Sequence, residues 1–172
     1  WSKYTGIADH RDLEYARSIL IRGDEVSKMM RVVGEDGTVM SDFIIYLKSE
    51  FLDFVYLQQN TFDDVDCATG KERQTAVFKQ VLEVLKADFR SVEKAPAHRY
   101  FMQLRQLFID WNYIPVDKPE FAAQQDATRE KIRQAAKDLG YRRNELARSI
   151  VTGRSNVIAY IMFFADYTSL IL

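Results

Sequence analysis

The sequence predicts an all-α protein, a helical bundle to which a short helical segment and a terminal apolar run are appended. Apolar residues recur every three or four positions through most of residues 9–113, which is the spacing of helices with one buried face. The chain contains only 7 Gly and 3 Pro, too few for a β-sandwich or a disordered chain. Its hydrophobic fraction of 47%, with 11 Phe and 9 Tyr, is sufficient for a core.

Four apolar stripes define the predicted helices of the bundle. The first helix is expected to end at Gly34 and the turn that follows it. Ser41 or Asp42 is expected to cap the second helix, because short polar side chains accept hydrogen bonds from free helix N–H groups. Pro96 breaks the pattern between the third and fourth helices. We expect the core to include most of Phe51, Phe54, Val81, Leu85, Leu104 and Phe108.

Charge divides the chain into two parts. Residues 1–125 carry 16 basic and 20 acidic side chains, whereas residues 126–156 carry 8 basic and 4 acidic ones. This asymmetry predicts two pieces with different partners.

The second part follows a segment that contains two prolines. Residues 114–125 are interpreted as a connector, and a basic helix is expected to begin at Asp126 or Thr128. A second short helix is expected at Asn144–Val151. The apolar tail, residues 157–172, is rich in β-forming residues and predicts a buried strand, with a terminal helix as the alternative.

Several observations bear on the compartment of the protein. Cys67 is the only cysteine, so no internal disulfide can form, and a reducing compartment is expected. No run of apolar residues reaches the roughly 18 needed to span a bilayer, and the N-terminus lacks a signal-peptide pattern. We therefore expect a cytoplasmic chain without membrane insertion. Because the chain opens on Trp1, we also expect it to be a fragment of a longer protein.

The sequence shows no complete catalytic or metal site. It has no glycine-rich phosphate loop ending in Lys-Ser/Thr, no His-Glu-x-x-His and no paired-cysteine zinc spacing. Its two histidines, His10 and His98, are far apart. The acidic cluster Asp63-Asp64-x-Asp66 offers oxygen ligands for hard cations, but we interpret it as a solvated helix end. The prediction is therefore of no catalytic residue and no metal ligand.

Residues 50–66 have the sequence EFLDFVYLQQNTFDDVD. This stretch resembles the QQN motif of the catalytic subunit of V-type and A-type ATPases. The flanking VVGEDG turn, KERQ helix start and final IDWNY also resemble that subunit, in the same order. Over residues 1–113 the chain thus resembles the subunit's C-terminal helical domain. Two positions depart from the family pattern: Thr61 stands where alanine is usual, and Gly70 where an apolar residue is more frequent.

The resemblance implies a helical domain that closes over a nucleotide pocket built by another part of the subunit. By motif position, Phe62 corresponds to an aromatic residue that lines the adenine site, and Gln58, Gln59 and Asn60 would shape the same wall. Stacking on an aromatic ring and hydrogen bonds to amides suit a base. The alternative interpretation is that Phe62 is a core aromatic at a helix end and that the amides are caps.

The resemblance also implies which functions the chain lacks. The family's phosphate-binding lysine, catalytic carboxylate and magnesium ligands belong to a part of the subunit outside the match. We therefore expect no cofactor in this chain alone, since ATP or ADP with magnesium would bind only in the intact parent subunit, and no ATP hydrolysis. The implied partners are other subunits of an ion-translocating ATPase. In isolation the domain would expose an apolar face around Phe54, Tyr56, Leu57 and Phe62, which the missing core, a second copy or residues 157–172 could cover. We expect residues 157–172 to pack on it, because they are tethered, and self-association to follow if they are deleted.

A second resemblance covers residues 126–162. The stretches ATREKI, AAKDLGYRRN and LARSIVTGRSN, followed by IAYI, resemble the lactose-repressor family of DNA-binding regulators. They match the third helix of that family's headpiece, its hinge helix and the first strand of its core domain. Arg143 stands where the family has proline, and Ile150 where it has leucine. The helix-turn-helix that reads the major groove has no counterpart here.

This second resemblance implies DNA contacts by Tyr141, Arg142, Asn144, Ala147, Arg148 and Ile150. Without a recognition helix, only weak, non-specific DNA binding is expected through residues 126–156. The alternative is a basic surface helix pair packed on the bundle. The ATPase-like part lacks the phosphate-binding and catalytic residues of its family, and the repressor-like part lacks the recognition helix. We therefore favour an engineered or artefactual chimera over a natural protein. The predicted function is a fragment of the ATPase catalytic subunit, and the alternative is a truncated transcription regulator.

Overall fold

The computed structural model of the protein describes residues 6–89 and 92–138, which form a helical bundle. In chain order its helices are α1 (His10–Gly37), α2 (Met40–Leu52), a π-helix (Asp53–Leu57), α3 (Lys71–Leu85), α4 (Lys94–Asn112) and α5 (Pro119–Asp138). These two stretches of chain contain no strand. The predicted all-α fold class is therefore confirmed. The short helix predicted at Asn144–Val151 and the terminal strand lie outside the described residues.

Helices α1 and α2 form the most extensively packed pair of the bundle. Two residues connect them, so the helices run antiparallel as an αα-hairpin. They approach closely at Gly23, where an added Cβ would lie only 2.1 Å from the Cβ of Ser49. Glycine is therefore required at this position by the distance between the two helix backbones.

The turn between α1 and α2 differs in detail from the prediction. Helix α1 continues to Gly37 through a kink at Gly34, where φ is 78° and ψ is 166°. Glycine adopts this left-handed conformation without steric cost. Helix α2 begins at Met40 and has Val39 at its N-cap, with no side-chain hydrogen bond. The predicted caps, Ser41 and Asp42, were therefore wrong by two or three positions and lie in the first turn.

Aromatic residues from four helices form the centre of the core. The rings of Phe51 and Phe108 pack edge to face, with centroids 5.1 Å apart. Five of the six residues predicted for the core are buried, and the sixth, Phe54, is half-buried. The guanidinium carbon of Arg105 lies 3.4 Å from the centroid of the Phe54 ring and covers its outer face. The expectation for the core is confirmed.

Helix α5 begins inside the segment interpreted as a connector. It starts at Pro119, because proline suits the first position of a helix, where its missing N–H is not needed. The helix packs on the bundle through Phe121, Thr128 and Ile132, which are all buried. The indole Nε1 of Trp111 also donates a hydrogen bond of 3.1 Å to the carbonyl of Phe121. As far as Gln134, this arrangement favours the alternative of a surface helix packed on the bundle.

None of the helices in residues 6–89 and 92–138 is long and apolar enough to cross a lipid bilayer.

Candidate functional site

The candidate nucleotide-contacting residues lie in the loop between the π-helix and α3. This loop, residues 58–70, is called the QQN loop below. It begins where the π-helix ends, and the amide of Gln58 donates a 2.9 Å hydrogen bond to the carbonyl of Asp53. The side chain of Asn112 donates a hydrogen bond of 2.9 Å to the carbonyl of Val55. The last turn of α4 therefore fixes the position from which the loop leaves the bundle.

Two aspartates organise the backbone of the QQN loop. Oδ1 of Asp63 accepts hydrogen bonds from the amides of Val65 and Asp66, at 2.9 and 2.8 Å. The buried carboxylate of Asp66 accepts a 2.7 Å hydrogen bond from the amide of Asn60. Two of the three carboxylates of the acidic cluster thus hold the loop backbone, and because Asp66 is buried, the interpretation of the whole cluster as a solvated helix end is wrong. Residues 6–89 and 92–138 contain no group of three or more His, Cys, Asp or Glu side chains that could hold a metal ion.

A buried arginine lies beneath the loop. Arg73 is only 3% exposed and donates hydrogen bonds to the carbonyls of Val65, at 3.2 Å, and Trp111, at 3.1 Å. Burial lowers the pKa of its guanidinium, and the negative charges of Asp66 and Asp63 raise it in partial compensation. Through its two hydrogen bonds, the guanidinium connects the loop to the end of α4.

The ring of Phe62 projects away from the protein. It is 98% exposed, although its backbone amide is held by a 3.1 Å hydrogen bond to Oδ1 of Asn60. The interpretation of Phe62 as a core aromatic is therefore wrong. An aromatic ring this exposed, on a loop whose backbone is extensively hydrogen-bonded, can offer a whole face to a flat ligand.

The three amide side chains brace the loop. Gln58 donates to the carboxylate of Asp53 and Gln59 to the hydroxyl of Thr69, both at 2.7 Å. Asn60 donates to the hydroxyl of Tyr113 at 3.2 Å. These three contacts join side chains to side chains, and of the three amides only Asn60, whose Oδ1 accepts the backbone amide of Phe62, makes a contact of the kind expected of a cap.

A cavity of about 210 Å³ lies beside the QQN loop, and its polar lining is Gln58, Gln59, Asp66, Thr69, Gln74 and Asn112. Neither Phe62 nor Asn60 lines it. The structure therefore brings Gln58 and Gln59 together on one concave surface and places Phe62 on the outer surface of the loop. The four predicted residues share a loop but not a pocket.

A larger apolar groove of about 430 Å³ lies between the start of α1, the π-helix and α3. It is lined by apolar side chains that include Leu13, Leu52, Tyr56, Leu57 and Phe78. Of the face predicted to be exposed, Phe54 and Tyr56 are half-buried, and Leu57 is 42% exposed.

Sequence reasoning missed Arg73, Asp66 and Asn112 as functional residues. Arg73 lies in the KERQ stretch and Asp66 ends the acidic cluster, but nothing in the sequence indicates that either side chain is buried. Arg and Asp are almost always exposed unless they are paired, and the sequence does not show that Arg73 reaches the carbonyl of Trp111, 38 residues away. The six residues predicted to contact DNA, Tyr141, Arg142, Asn144, Ala147, Arg148 and Ile150, lie outside the described residues.

Comparison with known proteins identifies the family of the bundle. The sequence model of the family described as the C-terminal domain of V and A type ATP synthase matches residues 6–101, more than half of the chain. The V-type ATP synthase alpha chain of Treponema denticola is 44% identical over 151 residues, which are 88% of this chain and 26% of that protein.

Proteins of the same name from two related genera are also similar. The one from Borrelia duttonii is 47% identical over 121 residues, 70% of this chain and 21% of that protein. The one from Borreliella burgdorferi is 45% identical over 132 residues, 77% of this chain and 23% of that protein. The chain therefore spans only about a quarter of the length of these curated relatives.

These matches give no support to the resemblance of residues 126–162 to the lactose-repressor family. The alignment with the Treponema protein covers 151 of 172 residues, so at most 21 lie outside it, and it extends beyond residue 125. Part of the basic segment is thus aligned with an ATP synthase alpha chain. The packing of the start of α5 on the bundle agrees with this, because it makes the helix part of the same domain. The chain belongs to the family of the C-terminal domain of V and A type ATP synthases.

Proposed function

We propose that this chain is part of the alpha chain of a V-type ATP synthase and that its QQN loop contributes to the adenine side of a nucleotide site. The observation that carries the proposal is the exposure of Phe62, 98%, on a loop whose backbone amides donate hydrogen bonds to the side chains of Asn60, Asp63 and Asp66. Exposing a large apolar ring to water has no benefit for folding, so a ligand or partner that covers it would explain the arrangement.

The residues of the loop fit the base of a nucleotide better than its phosphates or a magnesium ion. A ring such as Phe62 offers stacking, which contributes roughly 1–3 kcal/mol per base. The carboxylates of Asp63 and Asp66 already accept backbone N–H groups, so they are poorly disposed to bind a cation. The contribution of this chain is therefore to bind and orient the base, and the phosphate chemistry belongs to the rest of the intact subunit.

The partners follow from the same proposal. The relatives are named as alpha chains of V-type ATP synthases, so the other subunits of such a complex are the expected partners of the full-length protein. Tyr56 and Leu57 line both the apolar groove between α1, the π-helix and α3 and the cavity beside the QQN loop, so these two concave surfaces are neighbours.

The proposal can be tested by titrating the isotopically labelled chain with magnesium ATP and recording its NMR spectrum. Stacking alone, at roughly 1–3 kcal/mol, corresponds to a dissociation constant weaker than about 5 mM, so the titration must extend to tens of millimolar. We expect shift changes at Phe62 and at Gln58, Gln59 and Asn60. Magnesium tripolyphosphate, which lacks a base, is the matched ligand control and should leave these signals unchanged.

Two variants complete this test. Phe62→Ala is expected to abolish the ATP-dependent shifts of the QQN loop, and Phe62→Tyr, which keeps a stacking ring, is expected to retain them. If ATP and tripolyphosphate produce the same shifts, or if Phe62→Ala leaves the ATP response intact, the loop does not recognise the base and the proposal fails.

A further inference from the structure

Arg73 occupies a position where a buried cation is unfavourable on local grounds. It is the third residue of α3, and a positive charge near the N-terminus of a helix is repelled by the helix dipole. It is also 97% removed from solvent, since only 3% of its surface is exposed. Charged groups are buried in proteins only when other groups compensate for the lost hydration.

The compensation comes from two elements that Arg73 joins. One guanidinium nitrogen donates to the carbonyl of Val65 in the QQN loop, at 3.2 Å, and another donates to the carbonyl of Trp111 in the last turn of α4, at 3.1 Å. The carbonyl end of a helix attracts a cation, so the contact with Trp111 opposes the unfavourable effect of the start of α3. Asp66 and Asp63 add favourable charge.

The neighbouring contacts tie the loop to the same end of α4. Asn112 donates to the carbonyl of Val55, and Asn60 donates to the hydroxyl of Tyr113. The first of these bonds holds the π-helix just before the QQN loop, and the second holds Asn60 near the start of the loop. The hydrogen bond from Arg73 is to Val65, which follows Phe62 in the chain. The segment that presents Phe62 is therefore attached to α4 on both sides, and Arg73 provides the attachment on its C-terminal side.

We propose that Arg73 is a positioning residue for the nucleotide base: it holds the QQN loop against the end of α4 so that the ring of Phe62 is presented in one orientation. This inference rests on the proposed function. Arg73 does not touch the nucleotide, because its side chain is buried beneath the loop. A stacking ring on a loop already ordered loses less entropy on binding, which is how a distant residue changes affinity.

The test compares the full chain with its Arg73→Ala and Arg73→Lys variants. Backbone ¹⁵N order parameters near Phe62 are expected to fall from about 0.85 to below about 0.6 in Arg73→Ala, while those of α1 and α2 stay unchanged. The ATP-dependent shifts at Phe62 should weaken in parallel. Arg73→Lys keeps the charge but not the two-pronged donor, so an intermediate loss is expected, and this variant is the safer one if Arg73→Ala folds poorly.

Rescue separates positioning from a general loss of stability. Ethylguanidinium, which matches the atoms that alanine lacks, supplies the missing donors when added to Arg73→Ala, and we expect it to restore both the order of the loop and the ATP response. Phe43→Leu is the control, because Phe43 is buried at the start of α2, whereas the QQN loop follows the other end of that helix. This variant should lower the melting temperature while the order parameters near Phe62 are retained. An Arg73→Ala chain whose loop stays ordered would overturn the inference.

The two proposals fail in distinguishable ways. If the unchanged chain shows no base-dependent shift, the proposed function is wrong whatever Arg73 does. If the unchanged chain responds to ATP and Arg73→Ala responds equally well, the base is recognised but Arg73 does not position the ring.

Discussion

The side-chain ammonium of Lys48 donates a hydrogen bond of 2.6 Å to the backbone carbonyl of Ala87, directly after α3. Lys48 is buried on α2, and its Nζ lies 5.4 Å from the centroid of the Phe89 ring. One cation thus links the segment that follows α3 to α2. Burial lowers the pKa of Lys48 to about 8, although the nearby negative charge of Asp88 acts in the opposite direction.

The lowered pKa of Lys48 predicts that stability rises with pH in the alkaline range. An unfolded lysine titrates near 10.4, so between pH 8 and that value the unfolded chain binds more protons than the folded one. The free energy of unfolding should therefore increase with pH across this window, by at most about 3 kcal/mol from this group. The measurement is urea denaturation at several pH values between about 7.5 and 9.5, below the range in which tyrosines ionise.

Lys48→Met is the control for this pH dependence. It keeps much of the length of the side chain but cannot titrate, so its free energy of unfolding should lack the rise attributed to Lys48. Tyr15 and Tyr46, whose pKa values are raised by burial, remain in both chains and cancel in the comparison. Equal slopes in the two chains would show that Lys48 keeps an ordinary pKa in the fold.

The close contact between α1 and α2 predicts that even the addition of one methyl group at Gly23 lowers the stability of the fold. In Gly23→Ala the new methyl group would overlap the side chain of Ser49, at 2.1 Å, and overpacking of this kind costs about 1–3 kcal/mol. Gly37→Ala, on the same helix, places its methyl group at an ordinary distance of 3.4 Å from Val33 and should cost much less. Thermal unfolding followed by circular dichroism distinguishes the two variants.

A second substitution checks that the overlap with Ser49 is the cause. Ser49→Gly alone should destabilise α2 by about 1 kcal/mol, because glycine is a poor helix residue. Combined with Gly23→Ala, it should recover part of the lost stability, so the two effects should not add. Simple additivity in the double variant would mean that α1 and α2 do not approach closely at this point.

The helical stripes of the bundle could be predicted from the sequence because each one depends only on neighbours three or four positions away. The core positions of Phe51, Leu85 and Phe108 followed from that period alone. The burial of Lys48 and Arg73 could not be predicted, since the acceptor of Lys48 is 39 residues away and one of the two acceptors of Arg73 is 38 residues away. A charged residue without a visible partner is normally placed on the surface.

The candidate site was predicted less completely than the fold. Family resemblance located the QQN loop and Phe62, but the residues that hold the loop come from α3 and α4 and were assigned no such role. The start of α5 was also missed, because two prolines close together suggest a connector, whereas Pro119 begins a helix.

Packing of α5 predicts that it unfolds together with the bundle. The Phe121 ring lies 5.2 Å from that of Trp111 and is buried, so Phe121→Ala should lower the free energy of unfolding by about 3–5 kcal/mol. Urea unfolding monitored by tryptophan fluorescence is suitable, because Trp111 is fully buried beside the substituted ring. Ala122→Ser, at an exposed position of the same helix, is the control. A Phe121→Ala chain as stable as the control would show that α5 is only loosely attached.

The exposure of Phe62 predicts that its removal affects binding and not folding. With 98% of its surface in water, the ring contributes almost no buried apolar area, so Phe62→Ala should change the free energy of unfolding by no more than about 0.5 kcal/mol. Phe108→Ala, the matched substitution of a fully buried ring, should cost about 3–5 kcal/mol.

The same Phe62→Ala sample should lose the response of the QQN loop to ATP while its helices remain intact by circular dichroism. This combination would identify Phe62 as a recognition residue. Removing a core aromatic residue would lower the stability of the fold, whereas removing Phe62 should leave stability unchanged and abolish the ATP response. A loss of more than about 1 kcal/mol of stability in Phe62→Ala would instead mean that the ring packs against the protein in solution, beyond the usual range for surface substitutions. In that case the amides of Gln58 and Gln59, which line the adjacent cavity, would be the remaining candidates for contact with the base.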